Sequence, residues 1–235
     1  MKKSEVKILM RIESNDNEES IQRWFDKEVK DGENSILVYP DTQTFRQIYT
    51  KYVKYQLVST REQEVKENNN NNNNNNNFTR NNKQSKSRIL LIAPFYETVD
   101  SVKHHLIAFG VENIQRHIDN GSLVIIDSFY SFLPDINGMK KLIDSLSQRT
   151  RKEGRPGVTA IVDMGSFFLF GGDSKAADLI SYETSLAPKM QDSNVKGFSC
   201  YHWGNYETLA EEDKEQLTQG QRKKLLEVRE IRNYS

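Results

Sequence analysis

Five short apolar runs, at 35–39, 88–93, 122–127, 158–162 and 197–201, are each followed by a stretch of helical periodicity. That alternation constrains the fold more than any other feature of the chain. Each run is too short for a helix, is rich in Ile, Val and Leu, and is bounded by Gly, Pro, Asp or Asn, which reads as a strand buried on both faces. The intervening patterns at 42–57, 97–109, 137–153 and 174–186 read as helices. Strict strand–helix alternation predicts an α/β fold: a doubly wound, mostly parallel sheet of five or more strands with helices on both faces. After the last run, 209–228 is charged and helical in pattern, with Leu217, Leu225 and Leu226 as apolar contacts and Gly220 dividing it. An N-terminal amphipathic helix is expected over about 18–30. Its stripe of Ile21, Trp24, Phe25 and Val29 packs on the sheet, and Gly32 ends it. The chain therefore divides into a helical extension at 1–33 and a core domain at 34–235.

The 235 residues suffice for one large α/β core. Acidic and basic residues balance at 33 each, so no global field recruits nucleic acid or anionic lipid. No apolar run approaches the roughly 20 residues needed to span a bilayer, and the start lacks a signal core. One cysteine excludes an intramolecular disulfide framework and suits a reducing cytoplasm, so a cytoplasmic location is expected. The mean hydropathy of −0.75 is low for a compact domain. Part of that reflects an unbroken asparagine run at 68–77, which lies in a polar stretch read as a disordered insertion at about 62–86. It joins the first helix to the second strand, hence the amino edge of a parallel sheet, whereas ligands bind outside the carboxyl ends. The insertion is expected to be remote from any pocket and dispensable for ligand binding.

The first crossover is the decisive one for chemistry. A nucleotide-binding α/β domain carries there a glycine-rich turn with a lysine, whose backbone N–H groups cradle phosphates. Here the turn is Pro40-Asp41, without glycine or lysine, and its one charge is negative. An acid at a helix N-terminus repels a triphosphate. The sequence thus points away from ATP chemistry.

The order of motifs resembles the MEDS domain, the sensory domain of methanogen and methylotroph regulators and a relative of the RecA/KaiC-like ATPase core. The matching segments are the opening strand 35–40 with its aromatic end, then Gly121-Ser122-Leu123-Val124-Ile125-Ile126-Asp127 followed by Phe129 and Tyr130. Further along are 158–164 with Phe167, then Leu179-Ile180-Ser181-Tyr182-Glu183 with Leu186, and finally Gly197-Phe198-Ser199-Cys200-Tyr201. They span about 35–228 apart from the asparagine insertion. The family usually opens its first strand with histidine, where this chain has Asn34 and Ser35. It also tends to carry a histidine in the C-terminal helix, where Gln219 and Gln221 stand. The resemblance implies a RecA/KaiC-like core without a phosphate loop, serving as a non-catalytic input module. Such a module senses a small hydrocarbon-like ligand and reports to a separate histidine kinase or transcriptional regulator. The alternative is a degenerate ATPase relative acting as a protein-interaction scaffold without a small ligand; residual ATPase activity is a further one. A homo-oligomer is left open.

Asp127 and Asp163 end buried strands where a magnesium-binding acid would stand in an ATPase. Without a phosphate loop they read as turn caps. Cys200 and His202 share one face of a strand and could pair as metal or redox ligands, but no further ligand spacing accompanies them, so no metal, cofactor or catalytic residue is expected. His104 and His105 read as ordinary helix-surface residues. Tyr39, Phe95, Tyr96, Phe129, Tyr130, Phe167 and Tyr201 lie at or past strand carboxyl ends, where a crevice forms in this architecture. A concave aromatic lining suits a small apolar ligand. The candidate ligand site is accordingly Tyr39, Asp41, Phe95, Tyr96, Asp127, Phe129, Tyr130, Asp163, Phe167, Glu183, Cys200 and His202. Glu183 is placed to reach its rim, and Gly171-Gly172-Asp173 forms a flexible approach to its helix.

Overall fold

The computed structural model describes residues 7–12, 25, 27, 29–71, 87–127, 138–191, 194–219 and 225–230. Its strands are β1 (Lys7–Ile12), β2 (Asn34–Tyr39), β3 (Ile89–Ala93), β4 (Leu123–Ile125), β5 (Val158–Asp163), β6 (Val195–His202) and β7 (Leu225–Glu230). They form one seven-stranded sheet in the order β1-β7-β2-β6-β5-β3-β4, and every adjacent pair is parallel. The helices are α1 (Thr42–Asn71), α2 (Val99–Ala108), α3 (Ile114–Asp119), α4 (Gly138–Glu153), α5 (Gly165–Phe170), α6 (Lys175–Gln191), the single turn α7 (Trp203–Tyr206) and α8 (Glu211–Gln219). The doubly wound parallel α/β architecture expected from the sequence is the one observed.

Alternation along the strands sorts the apolar residues into two cores. Leu37, Leu90, Ile92, Ile161 and Phe198 face α1, α2 and α3. Ile36, Val38, Leu91, Ala160 and Val162 face α4, α5 and α6. All six residues of β2 and all six of β5 are buried, because helices cover both sides of the central strands. Phe25 and Val29 belong to the α1-side core, and Phe25 packs edge-on against Phe198 and Tyr52. Burying such a ring contributes about 2–3 kcal/mol. Ile21 and Trp24 lie outside the described residues. Gly32 turns the chain into β2 at a φ of 83°, which glycine adopts without a Cβ clash.

Several expectations are corrected. The helical pattern read over 209–228 holds only for α8; Leu225–Glu230 is a strand between β1 and β2. No strand was expected at Lys7–Ile12, within the stretch read as a helical extension, yet it pairs with β7 over its whole length. The first helix runs past 57 to Asn71, so the backbone at 62–71 is helical where the insertion was expected to begin. Residues 72–86 lie outside the described residues. A helix not read from the sequence, α5, follows β5 directly.

Candidate functional site

At the carboxyl edge, β2 ends in Tyr39 and the chain enters α1 through Pro40-Asp41. Asp41 is used locally: its carboxylate accepts the Thr44 N–H (2.8 Å) and the Thr44 hydroxyl (3.1 Å). This is a side-chain N-cap, worth about 1 kcal/mol. The acid therefore satisfies the very N–H groups that would otherwise greet an anion.

Asp163 ends β5 on the α1 side of the sheet, opposite Cys200 of β6, which in turn lies opposite Leu37 of β2. Tyr39 reaches across β6 and its hydroxyl donates to Asp163 Oδ2 at 2.7 Å. The Gly165 N–H donates to Oδ1 at 2.8 Å, and the Phe95 backbone N–H adds a further bond. The carboxylate is 1% exposed. Burial raises its pKa from 3.8 to about 6, against the stabilising bonds from Tyr39, Gly165 and Phe95. Burial, reinforced by the charge of Asp163, likewise pushes the Tyr39 phenol far above its usual range. The Cys200 thiol is pushed up by the same two causes, which keeps it protonated and unreactive at neutral pH. Tyr39 is held by a stacked Phe45 ring (4.6 Å) and an edge-on His202 (5.6 Å). His202 Nδ1 caps α7 by accepting the Gly204 N–H at 3.2 Å.

Beside this pair lies a second buried carboxylate that sequence reasoning missed. Glu97 Oε1 sits 3.0 Å from Arg46 Nε and accepts the Tyr49 hydroxyl at 3.2 Å. Its Oε2 accepts the Ser101 hydroxyl at 3.0 Å and lies 3.1 Å from His105 Nε2. Burial, and next the charge of Glu97, raise the Tyr49 phenol strongly. The spacing of Glu97, Ser101 and His105 at i, i+4 and i+8 was the available signal, and it makes His105 more than a surface residue.

The remaining candidates divide. Phe95 is buried and edge-on to Tyr96 (4.7 Å), which is half-exposed and whose hydroxyl accepts from Asn205 Nδ2 (3.0 Å). Gly165 lets Phe95 in: a Cβ there would meet its ring at 2.4 Å. Tyr39, Asp163, Phe95, Tyr96, Cys200 and His202 are thus brought together. Phe167 and Glu183 are not, because they lie in the core on the opposite face of the sheet. There Phe167 packs on Tyr182 at 5.4 Å. Glu183 accepts from the Tyr201 hydroxyl and the Asn34 amide, each at 3.0 Å, so it joins α6 to β2 and β6 rather than reaching the rim. The Asn34 amide also donates to the Ser199 hydroxyl at 2.9 Å. Tyr201 points to that same face, its phenol raised by burial and next by Glu183. Asp127 follows the outermost strand β4, with β3 between it and β5. Phe129 and Tyr130 lie outside the described residues. Gly172–Ser174 forms a single 3-10 turn leading into α6. Among the described residues no group of three or more His, Cys, Asp and Glu is placed to hold a metal. No described helix is long and apolar enough to cross a membrane.

No family model and no curated protein matches the chain. Among solved structures it is similar to a KaiC-like protein from the hyperthermophilic archaeon Pyrococcus horikoshii. That similarity has a TM-score of 0.46 and 10% identity, over 82% of this chain and 69% of that one.

Proposed function

We propose that the chain is a non-catalytic sensory domain of the kind the MEDS resemblance implies. It binds a small, apolar ligand at the carboxyl edge of its sheet and reports to a separate signalling protein, a histidine kinase or transcriptional regulator. The observation that carries this reading is the internal use of both acids that phosphate chemistry would need. Asp41 caps α1, and Asp163 is buried beneath the Tyr39 hydroxyl. A magnesium–nucleotide complex would have to break both arrangements, and each broken bond to a charged group costs about 1.5–3 kcal/mol.

A thermal-shift screen tests the reading. Stabilisation by a small organic compound, with no response to nucleotides, is the expected result. Magnesium-dependent ATP hydrolysis abolished by Asp163→Ala would overturn it. One observation favours a scaffold without a small ligand as the second reading. Tyr39 and Phe167 are packed into opposite cores rather than lining one cavity. A flat response across a broad compound library would select the scaffold.

A further inference from the structure

Four large apolar side chains stand exposed at the carboxyl ends of three neighbouring strands: Tyr96 (48%) after β3, Leu169 (61%) and Phe170 (45%) in α5 after β5, and Trp203 (39%) after β6. They form one connected surface. The buried Phe95 ring is edge-on to both Phe170 (6.4 Å) and Tyr96 (4.7 Å), and the Tyr96 hydroxyl is bonded to Asn205, two residues beyond Trp203. A contiguous patch of this kind marks an interaction site, whereas single exposed apolar residues do not. Tyr and Trp in it supply large contact area at low entropic cost. The backing by Phe95, which Gly165 admits by lacking a Cβ, holds the patch in one shape.

The rim carries a sign. Asp173 follows Phe170 by three residues and Glu207 follows Trp203 by one helical turn; both are exposed. The nearby cations are engaged: Lys103 with Asp100, and the largely buried Lys214 with Glu211 and Glu207. An apolar centre with an acidic border is complementary to an amphipathic segment that carries lysine or arginine beside its apolar face.

We propose that Tyr96, Leu169, Phe170 and Trp203, bordered by Asp173 and Glu207, form the docking surface for a cationic amphipathic helix of the partner protein. This rests on the partner-reporting reading above and names the surface through which it acts. The helix lays its apolar face on the ring platform while its cations meet the two acids.

The test uses the full chain and two synthetic 14-residue helical peptides with the same leucine pattern. Their polar faces are all lysine in one and all glutamate in the other. Trp203 emission and anisotropy of a labelled peptide are read at physiological salt. The wild-type protein is expected to bind the lysine peptide at least about tenfold more tightly than the glutamate peptide. Leu169→Asp, an exposed position, and independently Trp203→Ser should abolish binding while leaving Tm unchanged. The double variant Asp173→Lys, Glu207→Lys should reverse the preference. Equal binding of both peptides, or lysine-peptide binding unaffected by Leu169→Asp, would overturn the proposal. So would light scattering that showed a wild-type dimer lost in Leu169→Asp, since a second copy would then occupy the surface. Compound binding in the thermal-shift screen without peptide binding would sink this surface and leave the sensory reading standing.

Discussion

The Tyr39 hydroxyl donates to Asp163 Oδ2 at 2.7 Å, joining the ends of β2 and β5 across the intervening β6. Tyr39→Phe removes a donor to a buried, charged acceptor, for which a loss of about 1.5–3 kcal/mol is expected. The bond favours the ionised carboxylate, so its removal pushes the Asp163 pKa higher still. Urea denaturation at pH 5 and at pH 7.5 should therefore show the larger loss at the higher pH. Equal losses would show that the bond does not tune the acid.

Asp163 itself makes stability depend on pH. Its folded pKa of about 6 lies above the ordinary 3.8, so the folded chain holds this proton more tightly than the unfolded one. The resulting stabilisation is complete below about pH 4 and is lost as pH rises through about 6. Relative to Asp163→Asn, which stays neutral, the wild type should lose on the order of 3 kcal/mol between pH 4 and pH 7.5. A difference that does not change over that range would contradict the burial of the charge.

Glu153 behaves in the opposite sense. Hydrogen bonds from Arg149 and then Arg155 lower its pKa from 4.5 to about 2. Both arginines also donate to the Asn120 carbonyl, and Arg155 to that of Ser87, so the cluster ties the end of α4 to the segments leading into β3 and β4. The contribution is present above about pH 4.5 and lost as pH falls through about 2. Glu153→Gln should be less stable than wild type at pH 7, by no more than about 1 kcal/mol for so accessible a group. The two should converge in acid denaturation near pH 2.

Glu97→Ala removes the carboxylate on which groups from α1 and α2 converge. Breaking a buried ion pair costs about 3–5 kcal/mol, and Arg46, one-third exposed, can regain water, which places the expectation near about 3 kcal/mol. Chemical denaturation checks it, and Glu97→Gln, which keeps the acceptor oxygen, should lose less.

The five central strands and the helices between them were legible because both faces of each strand are buried, leaving unbroken Ile, Val and Leu runs. β7 was not legible. Leu225-Leu226-Glu227-Val228-Arg229-Glu230 is compatible with a helix on local preference, and its pairing with β1 and β2 decides otherwise. β1 was missed with it, since each edge strand needs the other. In the site, Tyr39, Asp163, Phe95 and Tyr96 were placed by the rule that strand ends converge. The face that each side chain takes was harder. Phe167 and Glu183 follow the same strand end as Asp163 but sit on helices that turn them beneath the sheet. Glu97 went unread because its partners are polar groups on two different helices, and only Ser101 and His105 share its local spacing.

The central claim is that the carboxylate of Asp163 and the mouth of α1 are already occupied by Tyr39 and Asp41. Isothermal titration of the full chain with magnesium–ATP tests it most directly. The account predicts no saturable heat up to millimolar nucleotide. A saturable, magnesium-dependent isotherm that disappears in Asp163→Ala would contradict it.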